Sequence, residues 1–381
     1  MTSNVIIVGG GPIGLYLGCL LRNKGLECLI LEKRVERSTH SRSIGIHPPA
    51  LRQLAQVGIA DDLVKRGIRV KEGDGYLGSK PLGSLPFSLL PPPYSFVLTL
   101  PQHETESLLE ARYIELGGRL EKGVSVTGLE QDAGSVDVIA TRSSGEERLT
   151  CDWLIGCDGR NSTVRGLLSI PMLGSSYNDH YMMGDFEEAR EQSARAAIHL
   201  GSKGVVESFP LGHGLRRWVA RVEQPHKSAT HADLVGLLTR HVQERTGVTL
   251  AHDACIMTSA FTAERFEAKE FASGRVILAG DAAHIISPIG GQGMNLGWLD
   301  AQLLAELLHS KDGVALKPEA IQAAYEPVRR RSFRRAARRA ELNMWMGRSG
   351  WLYPARALMA RLILSRPLRG YFVRLFTMQD L

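Results

Sequence analysis

The sequence predicts an α/β fold: a parallel-sheet domain built from two separated stretches of chain, an inserted sheet-containing domain, and helices at the C-terminus. Three observations predict it. Val5-Ile6-Ile7-Val8 is a β-branched run of the kind that parallel sheets bury on both faces, and a glycine turn joins it to Leu17, Leu20 and Leu21 at helical spacing. From about Met172 to Ser273 the pattern changes to longer, less apolar strands such as 217–222. Residues 276–279 then return to a short buried run, and helical patterns dominate from Gly293. The implied division is 1–171 and 274–316 for the two parts of the first domain, 172–273 for the inserted domain, and 317–381 for the helical end.

In chain order, strand 5–8, the glycine turn, helix 14–24 ended by Gly25, and strand 28–31 form one βαβ unit. Prolines start a helix at 48–57 and acidic residues start another at 61–66. Residues 104–116 are amphipathic, with Leu108, Leu109, Tyr113 and Leu116 inward. Alternation at 124–129 and 136–141 reads as a hairpin, and 153–157 as another buried strand. Within the inserted domain, 232–245 is a helix; 295–308 and a long segment from Pro318 follow it.

With 44% hydrophobic and 23% charged residues, the composition is that of a soluble globular protein. Gly9-Gly10-Gly11-Pro12 interrupts the apolar N-terminus, and no basic residue precedes it, which disfavours a secretory signal. Five scattered cysteines without metal-ligand spacing point to reduced thiols in a cytoplasm. The net charge of +6 is concentrated in one place: beyond Pro327 thirteen arginines face only Glu341 and Asp380, so the rest of the chain is net acidic.

Gly9-x-Gly11-x-x-Gly14 lies between strand and helix, the arrangement that brings a pyrophosphate to a helix N-terminus. Glu32 closes the second strand, where a carboxylate accepts ribose hydroxyls and repels a ribose phosphate, leaving NAD or FAD. Two later motifs decide between them. Cys157-Asp158-Gly159-x-x-Ser162-x-x-Arg165 follows one buried strand; Gly280-Asp281-Ala282-Ala283-His284, continuing to Pro288-x-Gly290-Gly291-Gln292-Gly293-Met294-Asn295, follows another. In these residues the chain resembles the group A flavoprotein monooxygenases, the aromatic and polyketide hydroxylases built like para-hydroxybenzoate hydroxylase. A chain of 381 residues is expected to lack the thioredoxin-like domain that some of these carry.

The resemblance implies a Rossmann-like FAD-binding domain with an inserted substrate domain. NAD(P)H would visit transiently to reduce FAD, and oxygen would pass from a flavin hydroperoxide to an aromatic, phenolic, quinone-like or polyketide substrate, with no side chain obliged to act as nucleophile. It assigns Gly9, Gly11, Pro12, Ile13 and Gly14 to the pyrophosphate turn, and Glu32, Lys33 and Arg34 to the ribose end. Arg42 is assigned near flavin and pyrophosphate, Gln102 to ribityl or phosphate, and Val126 to adenine. Asp158 is assigned to pyrophosphate or NAD(P)H, with capping of 162–168 as the structural alternative. Gly280 and Asp281 go to the ribityl chain, and Pro288, Gly290, Gly291, Gln292, Gly293, Met294 and Asn295 to the isoalloxazine ring. His284 and His47 are read as hydrogen-bonded structural histidines rather than bases. Met183, Phe209, Trp218, Met257 and Pro288 are the substrate-lining candidates.

Other readings are an epoxidase, a Baeyer–Villiger oxygenase or a double-bond reductase on the same fold, and, in other classes, an NAD-linked dehydrogenase or a basic membrane- or nucleic-acid-binding protein. No aromatic interleaving accompanies the arginines, which disfavours nucleic acid. Arg331, Arg334, Arg335, Arg338 and Arg339 share one helix face, expected to be solvated or salt-bridged to the protein's own acidic surface, with peripheral binding to an anionic membrane as the sharper alternative.

Overall fold

The computed structural model describes residues 2–37, 43–188, 194–226, 228–309 and 317–380. Among these, the first sheet runs in the order Ala272–Ser273, Val276–Leu278, Gly145–Gly156, Thr2–Val8, Cys28–Glu32, Arg119–Lys122. The hairpin Ser125–Gln131 and Val136–Arg142 attaches to Gly145–Gly156. The pairings from Val276–Leu278 through to Arg119–Lys122 are parallel, aligning Ile7 with Ile30 and Ile155, and Ile155 with Ile277. All four isoleucines are fully buried, as the unbroken apolar runs require of strands covered on both faces. Helices Pro12–Asn23 and Gln292–Leu308 pack together, and Trp298 Nε1 donates to the Pro12 carbonyl at 3.1 Å. The C-terminal ends of the parallel strands therefore meet the N-termini of two helices at one sheet edge.

The second sheet runs His284–Ile285, Cys255–Ala268, Met172–Glu187, Leu215–Val222, Val206–Gly212, Ala196–Leu200, Glu72–Leu77, Lys80–Pro86. It thus recruits Glu72–Leu77, Lys80–Pro86 and His284–Ile285 from outside 172–273. Glu-Gly-Asp-Gly-Tyr-Leu at 72–77 lacks the apolar alternation that marks a strand; its ladder forms because Ala196–Leu200 offers a parallel partner.

The two faces of this sheet differ. Met182, Phe186, Val206, Trp218 and Ala220 pack on helix His231–Thr246 through Leu234, Val235 and Leu238. That helix is well bounded: Thr230 and Asp233 form a capping box, and Gly247 ends it at φ 80°. The opposite face carries Tyr181, Met183 and Val219, against which Ile289, Met344 and Ala360 pack.

Helix Pro318–Gly347 buries Phe333, Ala336, Ala337 and Ala340 against Ile286 and Leu296. Several of its arginines are tied to the protein's own acids: Arg330 to Glu267 and Glu326, Arg334 to Glu267, and Arg339 to Asp380. Helices Tyr353–Leu364 and Arg366–Phe376 complete the C-terminal region. Among the described residues, no helix is long and apolar enough to cross a membrane.

Candidate cofactor and substrate site

The glycine turn is built from close approaches. A Cβ on Gly14 would lie 2.1 Å from the Gly9 carbonyl oxygen, and Gly9, at φ 110°, sits against the Cys157 backbone. Gly11 is the opposite case: among the described residues a Cβ there would meet nothing within 4 Å, so they leave the space before helix Pro12–Asn23 open. Gly11 has no side chain to cap that helix, so among the described residues its first amides are left without a capping side chain. An open hollow at a helix N-terminus fits an anionic ligand. Pro12 and Ile13 contact the other motifs directly: Ile13 lies beneath Gly280 and Gly297.

At the next strand end Glu32 is buried. Its Oε2 accepts from the Gly10 amide at 2.7 Å, and Oε1 from the Arg34 amide at 2.9 Å and Arg34 Nε at 3.0 Å. Burial raises its pKa, but these hydrogen bonds outweigh that effect and hold the carboxyl below its ordinary value. Oε2 retains acceptor capacity for a hydroxyl. Lys33 is exposed. Gln102, at the start of helix Gln102–Glu115, donates to Glu106 at 2.8 Å, and Glu106 lies within electrostatic reach of Arg34, Arg37 and Glu32. Val126 is buried beside this strand end, two residues beyond Val124, whose amide donates to the Glu32 carbonyl. Arg42 lies outside the described residues.

Asp158 shows the capping arrangement. Its Oδ1 accepts from Ser162 Oγ at 2.5 Å, and its Oδ2 from the amides of Thr163 and Val164. Arg165 donates to the Ala282 carbonyl at 3.0 Å, tying this motif to the next. Gly280 and Asp281 form a single 3-10 turn with Asp281 exposed. Beneath it lies Asp300, fully buried, whose Oδ2 accepts from the Gly280 amide at 2.9 Å and His284 Nε2 at 2.7 Å, and whose Oδ1 accepts from Arg329 Nε at 2.5 Å. Burial works against the Asp300 charge, but His284 and Arg329 outweigh it and lower the pKa. His284 is also packed beside Phe271 and Phe333. Asp300 and Arg329 are the partners that local motif reading does not supply, because they come from two later helices.

The loop 288–291 turns through the Gly291 amide donating to the Pro288 carbonyl, and Gly291, at φ 64°, begins helix Gln292–Leu308 without a side-chain cap. Asn295 locks it in place: Oδ1 accepts from the His47 amide at 2.8 Å, while Nδ2 donates to the Gly45 and Gly291 carbonyls. His47 Nε2 donates to the Gly290 carbonyl at 3.1 Å, and burial pushes its pKa down to about 4, so the ring is neutral. Its Nδ1 is then an acceptor, and among the described residues neither it nor Gln292 Oε1, both buried, has a partner. Two orphaned acceptors fit a ligand that brings N–H donors. Gly293 approaches Ile286, Met294 is buried, and Pro288 is exposed.

Opposite this loop stands the second sheet's Tyr181 face. Met183, Phe209 and Met257 belong to its apolar cluster together with Ile289 of the loop. Trp218 does not: strand alternation sends it to the other face, into the core beneath helix His231–Thr246. Its neighbour Arg217, 2% exposed, points to the cleft side and is held by Asp185 at 2.6 and 2.8 Å. Glu207, cross-strand from Val219, lies on this face too, and sequence reasoning passed over it.

The FAD binding domain family matches residues 2–340 of this chain. The 12-dehydrotetracycline 5-monooxygenase/anhydrotetracycline 6-monooxygenase of Streptomyces rimosus is 34% identical over 351 residues, covering 87% of this chain and 67% of that protein. The solved structure of OxyS anhydrotetracycline hydroxylase, also from Streptomyces rimosus, superposes with a TM-score of 0.82 at 30% identity, covering 100% of this chain and 77% of the other. A dialkyldecalin synthase of Streptomyces rugosporus is 29% identical over 385 residues, covering 98% of this chain and 80% of that protein.

Proposed function

The chain belongs to the family defined by this FAD binding domain, and on that premise we propose that it hydroxylates a hydrophobic aromatic, phenolic, quinone-like or polyketide substrate lodged between the 288–291 loop and the Tyr181 face of the second sheet. It is an FAD-dependent monooxygenase, with NAD(P)H as electron donor and dioxygen as oxidant. Reduction of dioxygen and delivery of one oxygen atom is the chemistry that bound FAD supplies.

The protein's share is placement. In this reading the Gly11–Gly14 amides take the pyrophosphate, Glu32 the ribose hydroxyls, and Val126 the adenine. Gln102 and Asp281 take the ribityl hydroxyls. The first amides of helix Gln292–Leu308 face the ring edge that gains negative charge on reduction, which favours the reduced state. Asp158 supports the site by capping its own helix. The observation that carries the reading is the meeting, at one sheet edge, of three backbone turns, with an apolar sheet face opposite the third.

Purified protein should retain FAD, and a phenol, quinone or polycyclic aromatic should stimulate NAD(P)H oxidation with one atom of labelled dioxygen entering product. Product formed without NAD(P)H or dioxygen would overturn hydroxylation and favour the kind of reaction for which the dialkyldecalin synthase is named.

A second property is proposed for the C-terminal region, where Trp351, in the turn before helix Tyr353–Leu364, is 87% exposed and Leu358, Leu362 and Tyr371 are exposed beside Arg361, Arg366 and Arg374. This apolar and basic surface suits peripheral contact with an anionic membrane, about 1 kcal/mol per basic residue near the surface. Salt-sensitive co-sedimentation with anionic vesicles is the expected result; none at low salt would remove the property.

A further inference from the structure

We infer that Glu207 is the group that receives the hydroxyl proton of the substrate, from its place in the wall of the cleft between the second sheet and the 288–291 loop. The inference rests on the hydroxylase reading above and deepens it by naming the substrate feature that the cleft recognises: an ionisable ring hydroxyl.

Register places Glu207 in a row across the sheet with Val219, Met183 and Ser259 on one side and Ile198 on the other. Its side chain is only partly exposed, beside Ile198 at 39% exposure. It lies within electrostatic reach of Tyr181, on the face that packs against the loop residue Ile289. Two other buried carboxylates of this face are committed. Asp185 holds Arg217, and Asp179 accepts from Arg221 at 3.1 Å and Arg348 at 2.7 Å. Glu207 has no hydrogen-bond or ion-pair partner among the described residues. A carboxyl kept unpaired in apolar surroundings costs stability and does nothing for the fold.

The groups packed on this face explain its state. The sheet contributes Tyr181, whose hydroxyl is also buried without a partner, and the arginines already neutralised by Asp179 and Asp185. The C-terminal helices contribute Met344, Ala360, the paired Arg348, and Arg356, which donates to the carbonyls of Trp345 and Ser349. The loop contributes Ile289. With no free cation nearby among these groups, burial governs the carboxyl and pushes it up to about 7. A base with its pKa near working pH is well matched to general-base duty.

The step is a proton transfer. The substrate O–H bond breaks, an O–H bond forms on a Glu207 carboxylate oxygen, and the electron pair stays on the substrate oxygen, enriching the ring for attack by electrophilic oxygen. Nothing is oxidised or reduced in this step, and the proton returns to solvent with product release.

The test uses FAD-loaded protein and two probes, 4-nitrophenol, whose neutral and ionised forms absorb differently, and 4-nitroanisole, which has no proton to give. Wild type should bind 4-nitrophenol with a large ionised fraction at pH 7. Glu207→Gln should lower the ratio of ionised to neutral bound probe at least tenfold while 4-nitroanisole affinity stays within twofold. Glu207→Asp should restore part of the ionisation. An unchanged spectrum and pH profile in Glu207→Gln, at equal FAD content and with cooperative unfolding retained, would overturn the role of Glu207 and leave the hydroxylase reading standing. Wild-type protein that holds FAD but binds neither probe would overturn the cleft assignment, and Glu207 with it; protein that takes up no FAD would overturn the hydroxylase reading itself.

Discussion

The nucleotide edge of the first sheet and the inward face of the second are made of opposite materials. The edge is backbone: Gly9 and Gly14, which admit no Cβ, amides at two helix starts, and a carboxylate that accepts from neighbouring amides. The face is side chain: Tyr181, Met183, Phe209 and Met257, two buried arginine–carboxylate pairs, and one carboxyl left over. The edge therefore suits a ligand that never changes, and the face one that can change by substitution without rebuilding the chain. Substitutions on the two sides should fail in different ways, which makes the comparison testable.

The largest effect belongs to the edge. Gly14→Val places a side chain 2.1 Å from the Gly9 oxygen, backbone against backbone, where neither strand nor helix can yield. We expect loss of more than 4 kcal/mol, seen as failure to accumulate folded protein or a collapse of unfolding temperature. Normal stability would show that the turn is less constrained than its contacts require.

Next is the junction between the halves. Asp300→Asn removes the charge that neutralises Arg329 and orients His284, all of them buried. Breaking such a pair costs about 3–5 kcal/mol. The His284 turn carries Gly280 and Asp281, so FAD affinity should fall along with denaturant stability. A loss of FAD affinity without a loss of stability would make the network a cofactor feature rather than a structural one.

This contrast also explains what could be read in the sequence. Gly9 and Gly14, and Gly290 and Gly291 of the later loop, were legible because a backbone constraint forces a residue type at a fixed spacing. The inward face was not, because its meaning depends on strand phase. In Leu-Arg-Arg-Trp-Val-Ala-Arg-Val at 215–222, Trp218 looks like a pocket wall and the arginines look like the solvent side. The phase is the reverse, since Asp185 and Asp179 come from a neighbouring strand to neutralise Arg217 and Arg221. Glu207 is obscured for the same reason: a lone acid between Val206 and Ser208 resembles a surface residue until the register is known. The strands 72–77 and 80–86 escaped because sheet-edge pairing, rather than apolar alternation, holds them.

Glu207 gives the face its own signature in stability. Its pKa is raised from 4.5 to about 7 on folding, so the protonated folded form is favoured. The stabilising contribution is complete below the unfolded pKa and is lost as pH rises through the folded one. At pH 8 Glu207→Gln should be more stable than wild type by up to about 3 kcal/mol, with the gain vanishing near pH 4. Unfolding curves at both pH values measure it; a difference independent of pH would mean that Glu207 does not titrate in the folded protein.

The smallest effect on stability, and the sharpest separation of fold from binding, comes from Gly11→Ala. The substitution lies only three residues from Gly14 in the same motif. Gly11 has extended backbone at φ −80° and ψ −176°, which alanine adopts freely, and a Cβ there meets no protein atom within 4 Å. Alanine stiffens the unfolded chain but is a poorer N-cap than glycine, and the two effects oppose each other at about 1 kcal/mol or less apiece. The apoprotein should therefore unfold within about 1 kcal/mol of wild type. The methyl group nevertheless projects into the hollow before the helix, where the pyrophosphate would have to approach the amides, and FAD affinity should fall at least tenfold. Flavin titration of apoprotein beside thermal unfolding measures both. If Gly11→Ala binds FAD as wild type does, the open space at Gly11 is not the phosphate cradle, and the pyrophosphate must lie elsewhere along the edge. If it unfolds as readily as Gly14→Val, then the turn acts as one rigid unit and the division of labour among its glycines is lost.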